Sequence, residues 1–432
     1  MTSLRLSLLL CLLPAALCVS AQEREGKSGC VVLPLPECSY STDLGWQAGG
    51  ITDICWYGNG DIYPDYLCKL ILEASLYSKG NRSLHAFFDS KHQLDGIRAS
   101  GAVSYFGNRT YPFYGYNGAA AGYDRTLDAI LDDGTGFYLM SRNYFRALAI
   151  IQGRFGDDSS LGWATGLTFY NVHTGRADSK RIAAGSESLY SIYCAHGVIP
   201  AGEEKGGRHL ELKAGLSFDN RDHEDNPTRG ISAELYAVAS HDFVQGRNDY
   251  LRLVAHYKQF VPLMDGRLVL GWHLAWQGLV AGTAPCYMLQ TLQTINLKQS
   301  DPEGLGSTMT FRGTVRNRLV GNSYGWSNLE IRCYFAGFRL LGQFIQLAAN
   351  PFFDTGIVLR PYRLQAQKDA AAAEPAHASV IYSGNDEHLH CSTGAGLHII
   401  INRNFNVNME LGRSFSRADG DYGLNLGMGY IF

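Results

Sequence analysis

In several segments of this chain apolar side chains recur at every second position, not every third or fourth. Leu210, Leu212, Ala214, Leu216 and Phe218 alternate with Glu211, Lys213, Gly215, Ser217 and Asp219. Leu251, Leu253, Ala255 and Tyr257 alternate with Arg252, Val254, His256 and Lys258, and Leu268, Leu270, Trp272, Leu274 and Trp276 with Val269, Gly271, His273, Ala275 and Gln277. A period of two means extended strands with one apolar face and one polar or small face. A soluble β-sandwich alternates in the same way. Run length separates the two: many of these runs reach about ten residues, the length that crosses a bilayer at a tilt, whereas soluble strands average about five or six.

Read back from Phe432, the pattern predicts strands near 422–432, 405–415, 391–401, 343–356, 326–337, 266–280, 249–262, 230–241, 209–220 and 161–173, and earlier ones near 142–156, 97–107, 83–93, 66–79 and 43–57. The connections are short at 402–404, 338–342, 263–265 and 221–229 and long at 174–208, 281–325 and 357–390. That asymmetry fits periplasmic turns on one side of an outer membrane and extracellular loops on the other. Antiparallel barrels of this class close with an even number of strands, so a sixteenth is expected within the Tyr- and Gly-dense stretch 108–141. The expected fold is all-β: a transmembrane antiparallel β-barrel of 16 strands, into whose lumen the family resemblance given below implies that one long loop is inserted. Ser186–Ile199 has helical spacing and predicts a short loop helix, and the Ala-rich Lys368–Ala378 predicts a mobile loop.

Composition agrees. Charged residues make up 18% and glycines number 49, fewer charges and more glycine than in ordinary soluble domains. Arg5, the apolar run Leu6–Cys18 and the small residues Val19-Ser20-Ala21 read as a secretory signal over 1–21, followed by a short periplasmic segment 22–34 and a barrel domain 35–432. Beyond the signal nothing approaches the ~18 consecutive apolar residues of a membrane helix. The net charge of −3 and the lack of a basic stripe speak against nucleic acid. Cys30, Cys38, Cys55, Cys68, Cys194, Cys286, Cys333 and Cys391 are too scattered for a zinc site, and their pairing cannot be read from spacing. His388 and His390 beside Cys391 read as loop histidines, and the acidic run from Asp222 lacks the spacing of a calcium loop. There is no nucleophile elbow, P-loop or zincin motif, so the expectation is a protein without catalytic residues, metal or cofactor.

Charged groups within membrane strands are costly unless paired, which makes their positions informative. Arg312-Gly313, after Phe311, lies inside the loop 281–325; Phe352, Asp354 and Gly356 end the strand 343–356; Glu330 and Arg332 share the lumenal face of the strand between them. A loop folded into the lumen would bring Arg312 to Asp354. Asp219, Arg221 and Asp222, followed by Pro227, Arg229 and Gly230, form a charged turn in which Pro227 presets the bend. In the last strand Tyr422, Leu424, Leu426, Met428, Tyr430 and Phe432 share one face, and Asn425, Gly427, Tyr430 and Phe432 resemble the recognition signal of outer-membrane barrel substrates.

These motifs together resemble the bacterial surface antigen family, the barrel of BamA- and TamA-like outer-membrane assembly proteins. The resemblance covers roughly 35–432. It implies that Arg312-Gly313 is the lumenal loop motif, with Phe311 and Thr314 departing from the usual flanking residues, and that Asp354 in F-x-D-x-G is its partner. Leu35 to Gly45 resembles the approach to the family's first strand, which makes Asp43–Tyr57 the expected neighbour of Tyr422–Phe432 at the seam. The segment 22–34 is too short for a POTRA domain, so the barrel is expected to stand without one. Implied partners are outer-membrane lipids, unfolded outer-membrane proteins and separate periplasmic assembly factors. The implied function is insertion or translocation of outer-membrane proteins or lipids in the bacterial outer membrane; the alternative is a passive channel or structural barrel.

Overall fold

A computed structural model describes residues 28–63, 65–128, 136–156, 159–179, 182–183, 185–224, 226–244, 246–294, 304–340, 343–401 and 405–432. The expected signal peptide, the turn 402–404 and part of the turn 338–342 lie outside these residues. Sixteen strands close into one antiparallel barrel, each hydrogen-bonded to its neighbours in sequence and the first to the last. They are β1 Cys30–Ser41, β2 Gly45–Trp56, β3 Cys68–Tyr77, β4 Arg82–Leu94, β5 Ile97–Pro112, β6 Leu139–Arg154, β7 Leu161–Arg176 and β8 Gly207–Asp219. The second half comprises β9 Gly230–Asp242, β10 Tyr250–Leu263, β11 Leu268–Gly282, β12 Ser323–Leu340, β13 Gln343–Arg360, β14 His390–Ile401, β15 Phe405–Ser414 and β16 Tyr422–Met428.

The alternation sets the two surfaces. Leu212, Leu216, Leu274, Leu329 and Ile331 are exposed on the outer wall, while Glu211, Lys213, Arg252, Gln277, Glu330 and Arg332 are buried inside. Apolar atoms meet lipid, and the polar groups, which hydrocarbon would leave unsatisfied, pair across the lumen.

The strand count agrees with the sequence, but one strand lies elsewhere. Among the described residues 108–141 hold no separate strand: β5 runs on to Pro112, β6 begins at Leu139, and described residues between them such as Phe113, Tyr116 and Tyr138 lie in the cap of the barrel. The additional strand is β1, which begins at Cys30 inside the expected periplasmic segment 22–34, so the barrel starts before residue 35. Pro34 and Pro36 concealed it, because a proline within a run of residues argues against a central strand. The neighbour of β16 is therefore β1, through Tyr40–Leu426 and Ser41–Asn425, and not Asp43–Tyr57.

The long loops converge at one end into an apolar dome. Tyr111, Phe113, Tyr116, Tyr138, Tyr193, Tyr287, Met288, Tyr362 and Ile381 share one buried cluster. The loop helix expected in 186–199 is α1, Leu189–Ala195. Lys368–Ala378 is not a free loop: α2, Leu364–Ala373, buries Gln367, Ala370 and Ala371 in the dome. Asn117, in a left-handed conformation, joins three loops. It donates from Nδ2 to Tyr362 O at 2.8 Å and Gln367 Oε1 at 2.7 Å, accepts from Tyr362 N at 2.5 Å, and donates from its own N to Val320 O at 2.7 Å.

Candidate functional site, a lumenal lock beside the seam

The connection from β11 to β12 enters the barrel, and its tip carries Arg312. This guanidinium lies against β13: Nε donates to Asp354 Oδ2 and Nη2 to Asp354 Oδ1, both at 2.9 Å, while the main-chain N of Arg312 donates to Oδ2 at 3.0 Å. Nη1 donates to Glu410 Oε1 at 2.9 Å and to Glu330 Oε2 at 3.2 Å. The cation sits 3.5 Å from the centre of the Phe352 ring. Asn350 donates to both Glu330 and Glu410, and its Oδ1 lies 2.9 Å from His398 Nε2. A planar fork suits this multiple recognition of carboxylates.

Glycines let the loop lie on the wall. Gly313 has φ +85°, and a Cβ there would stand 2.5 Å from Arg413 N. A Cβ on Gly412 would meet Arg312 C and Gly313 N at 2.8 Å, and one on Gly394 would meet the Phe352 ring at 2.5 Å. Gly394, Gly412 and Gly423 are in register across β14, β15 and β16. This glycine row is the floor of the lock. Gly356 makes room for Phe311 and Leu319, since a Cβ there would lie 2.7 Å from Leu319 Cδ1 and 3.2 Å from Phe311 Cε1.

The same loop touches both flanks of the seam. Thr308 donates from its main-chain N at 3.1 Å and its hydroxyl at 3.4 Å to Asp43 Oδ2, in the turn after β1. Burial pushes the Asp43 carboxyl up, and the nearby Arg316 charge and the Thr308 hydrogen bonds draw it back. On the β16 side Val315 N donates to Asp419 O at 2.9 Å, and Arg318 Nε to Asp419 Oδ1 at 3.1 Å. His390 Nδ1 stands 2.7 Å from Asp419 Oδ2, so this histidine is engaged within the fold, while His388 stacks on it from an exposed position.

Arg332 on β12 extends the network toward the turn end. Its Nε donates to Glu330 Oε1 at 2.8 Å, Nη1 to Pro227 O at 3.3 Å and Nη2 to Phe432 O at 2.8 Å. The charged turn is folded on itself. Arg221 forks onto Asp219 at 2.9 and 2.7 Å, and Asp222 accepts from the main-chain N of Thr228 at 2.9 Å and of Arg229 at 3.2 Å. Gly230 at φ +104° passes so close to Asn220 O that a Cβ would stand 2.6 Å away. From this turn Glu224 reaches Arg98 at 3.4 Å and Lys91 at 3.6 Å, and Asn226 accepts from Tyr334 at 3.1 Å, so the turn spans the barrel mouth.

The end of the chain departs from the sequence reading. β16 stops at Met428, Gly429 takes φ +82°, and Tyr430 and Phe432 turn into the lumen instead of facing lipid with Leu424 and Leu426. Tyr430 stacks on His398 with ring centres 4.2 Å apart and lies 3.9 Å from the Arg332 cation; Phe432 packs on Phe260 and His273. Asn425 faces inward beside Asn408, at 3.3 Å, and Gly427 stands against both.

The structure thus gathers Arg312, Gly313, Glu330, Phe352, Asp354 and Gly356 at one place, and the charged turn and the tail at Arg332. Sequence reading missed Glu410, Asn350, His398 and the glycine row. Glu410 was findable as a carboxylate on the inward face of a membrane strand, the argument that singled out Glu330. The glycine row was not, because it exists only across strands.

The profile of the Omp85 superfamily domain matches residues 73–432. No curated protein sequence matches the chain. Among solved structures, BamA from Haemophilus ducreyi lacking POTRA domains 1-3 aligns with a TM-score of 0.55 and 14% identity, over 94% of this chain and 71% of that one. CdiB from Escherichia coli aligns with a TM-score of 0.55 and 10% identity, over 94% of this chain and 64% of that one. With the family profile covering all but the first strands and the closed sixteen-strand barrel matching these folds, the chain belongs to the Omp85 superfamily and is a β-barrel of the bacterial outer membrane.

Proposed function

We propose that this barrel assists the insertion of outer-membrane β-barrel proteins, acting through the seam between β1 and β16 and without covalent chemistry, metal or cofactor. One observation carries this reading. On its β2 side β1 is paired along its whole length, Cys30 with Trp56 through Ser41 with Gly45. On its β16 side, among the described residues, the register holds only at Tyr40–Leu426 and Ser41–Asn425, with Thr42 N donating to Leu424 O just beyond. Most of one strand edge is thus left facing the bilayer. Where it keeps its donors, at Cys30, Val32 and Cys38, such an edge is a template for another strand. In hydrocarbon its drive to pair is strong, because water is not there to satisfy it. Lipids and unfolded outer-membrane proteins are the partners this reading implies, with separate periplasmic factors delivering them.

The dome covers one end of the barrel, the Arg312 loop lies against the inner wall and the charged turn reaches across the other end, which favours work at the wall over conduction through the centre. The test is reconstitution in proteoliposomes with a urea-unfolded model barrel, insertion being read as a heat-modifiable, protease-protected band. Ser41→Cys with Asn425→Cys staples the seam. Stimulation that is lost on oxidation and restored by reductant supports the reading. Steady conductance in planar bilayers with no stimulated insertion overturns it in favour of a passive channel.

A further inference from the structure

β1 itself limits how far the seam can run. Backbone groups of successive strand residues point to opposite neighbours. Gly29 O accepts from Tyr57 N on the β2 side, whereas Thr42 N donates to Leu424 O on the β16 side, and the β1–β2 register is unbroken from Cys30 to Ser41. Even-numbered positions of β1 therefore address the seam. Pro34 and Pro36 are both even, so the edge that faces β16 lacks two N–H groups.

Continuing the register of Tyr40–Leu426 sets Met428 opposite Cys38, Tyr430 opposite Pro36 and Phe432 opposite Pro34. Each of these is a position where an antiparallel pair exchanges two hydrogen bonds. Opposite the prolines only one of the two can form, and the carbonyls of Tyr430 and Phe432 are left without donors in the hydrocarbon layer. The chain leaves the wall just before those positions. Gly429 turns at φ +82°, Phe432 O takes Arg332 Nη2 at 2.8 Å instead, and the Phe432 ring seats over Gly271, where a Cβ would be 3.3 Å from it.

We propose that Pro34 and Pro36 are a built-in stop on the seam: by removing the donors that Tyr430 and Phe432 need, they keep it from running past Cys38–Met428 and send the C-terminal tail into the lumen, where Arg332 holds it. This goes beyond the proposed insertion role, since it states what limits the seam and turns the tail inward whether or not the barrel inserts other proteins.

The test uses the full chain folded in detergent micelles, with Cys30 and Cys38 changed to Ser and the pair Leu35→Cys, Ile431→Cys introduced. Those two positions fall opposite each other, in a closely spaced pair suited to a disulfide, only when the tail lies along β1. With both prolines present the disulfide stays at background. Pro34→Val with Pro36→Val raises its yield at least tenfold. Arg332→Gln with the prolines kept leaves the yield at background while exposing the tail to carboxypeptidase. A high yield with the prolines present, no rise with the valines, or a rise from Arg332→Gln alone overturns the proposal. If the double valine chain does not fold, Pro36→Val alone decides, because it restores the donor that Tyr430 needs, the first one missing beyond Cys38–Met428, and must raise the yield by itself.

Discussion

Arg332 and Phe432, a hundred residues apart in sequence, meet through a 2.8 Å hydrogen bond from the guanidinium Nη2 to the last main-chain oxygen. The same guanidinium donates to Glu330 Oε1, and the other oxygen of Glu330 accepts from Arg312. One carboxylate therefore joins the loop that enters the lumen to the Tyr430–Phe432 tail. The tail's position depends on the fork of Arg332, which serves Glu330, Pro227 and Phe432 at once.

Arg332→Lys should release the tail although charge is kept, because an ammonium cannot hold three acceptors in one plane. Carboxypeptidase digestion of the folded barrel checks this. The parent chain should resist and the variant should lose Phe432 and Tyr430; equal resistance would show that ring packing alone retains the tail.

Arg312→Ala should destabilise the barrel by about 3–5 kcal/mol, since it strands buried carboxylates without their cation. Asp354→Ala should be similar in kind. Combined, the two should fall short of additivity by about 1–3 kcal/mol, as expected for groups in direct contact. Urea titrations of tryptophan fluorescence in liposomes give the cycle, and additive effects would rule out the pair as a unit.

Gly412→Val places a side chain where the backbone of Arg312 and Gly313 now lies, 2.8 Å from the glycine's Cβ position. The loop must lift. Trypsin should then cut at Arg312, Arg316 or Arg318, which are buried in the parent, while the strands stay heat-modifiable on gels. Continued resistance would mean that the loop rests elsewhere.

Asp419 ties the loop to the β16 side. Burial raises its carboxyl pKa, but the His390 hydrogen bond and the Arg318 charge outweigh burial and hold it below the usual value. A lowered carboxylate contributes stability that is complete above the unfolded value of about 3.9 and lost as pH falls through the folded one. The loop should thus loosen only below about pH 4, and Asp419→Asn should show that looseness at neutral pH. Proteolysis by pepsin below that range and by trypsin above it tracks the change.

Asn117→Ala removes the amide that three loops share, leaving Tyr362 N without its acceptor. A loss of about 1–3 kcal/mol is expected for an orphaned buried group. It should appear as faster hydrogen exchange in 113–128 and 361–382, with the strands unchanged.

The alternation of apolar and polar positions determined most of this protein without reference to the fold. A period of two over long runs has one stable use in a membrane, a closed antiparallel barrel, and it placed strands from Leu161 onward almost as the structure has them. Charged residues on inward faces were legible for the same reason. What decided the rest was proximity that no local pattern encodes. β1 was hidden because Pro34 and Pro36 are tolerable only on an unpaired edge, and whether an edge is unpaired depends on a strand near residue 426. The aromatics of 108–141 read as a strand because their burial in a dome depends on three other loops. Tyr430 and Phe432 read as lipid-facing by parity, and only Gly429, with Arg332 waiting across the lumen, turned them inward. Periodicity fixes which side of a wall a residue faces; it holds no information about where the wall stops.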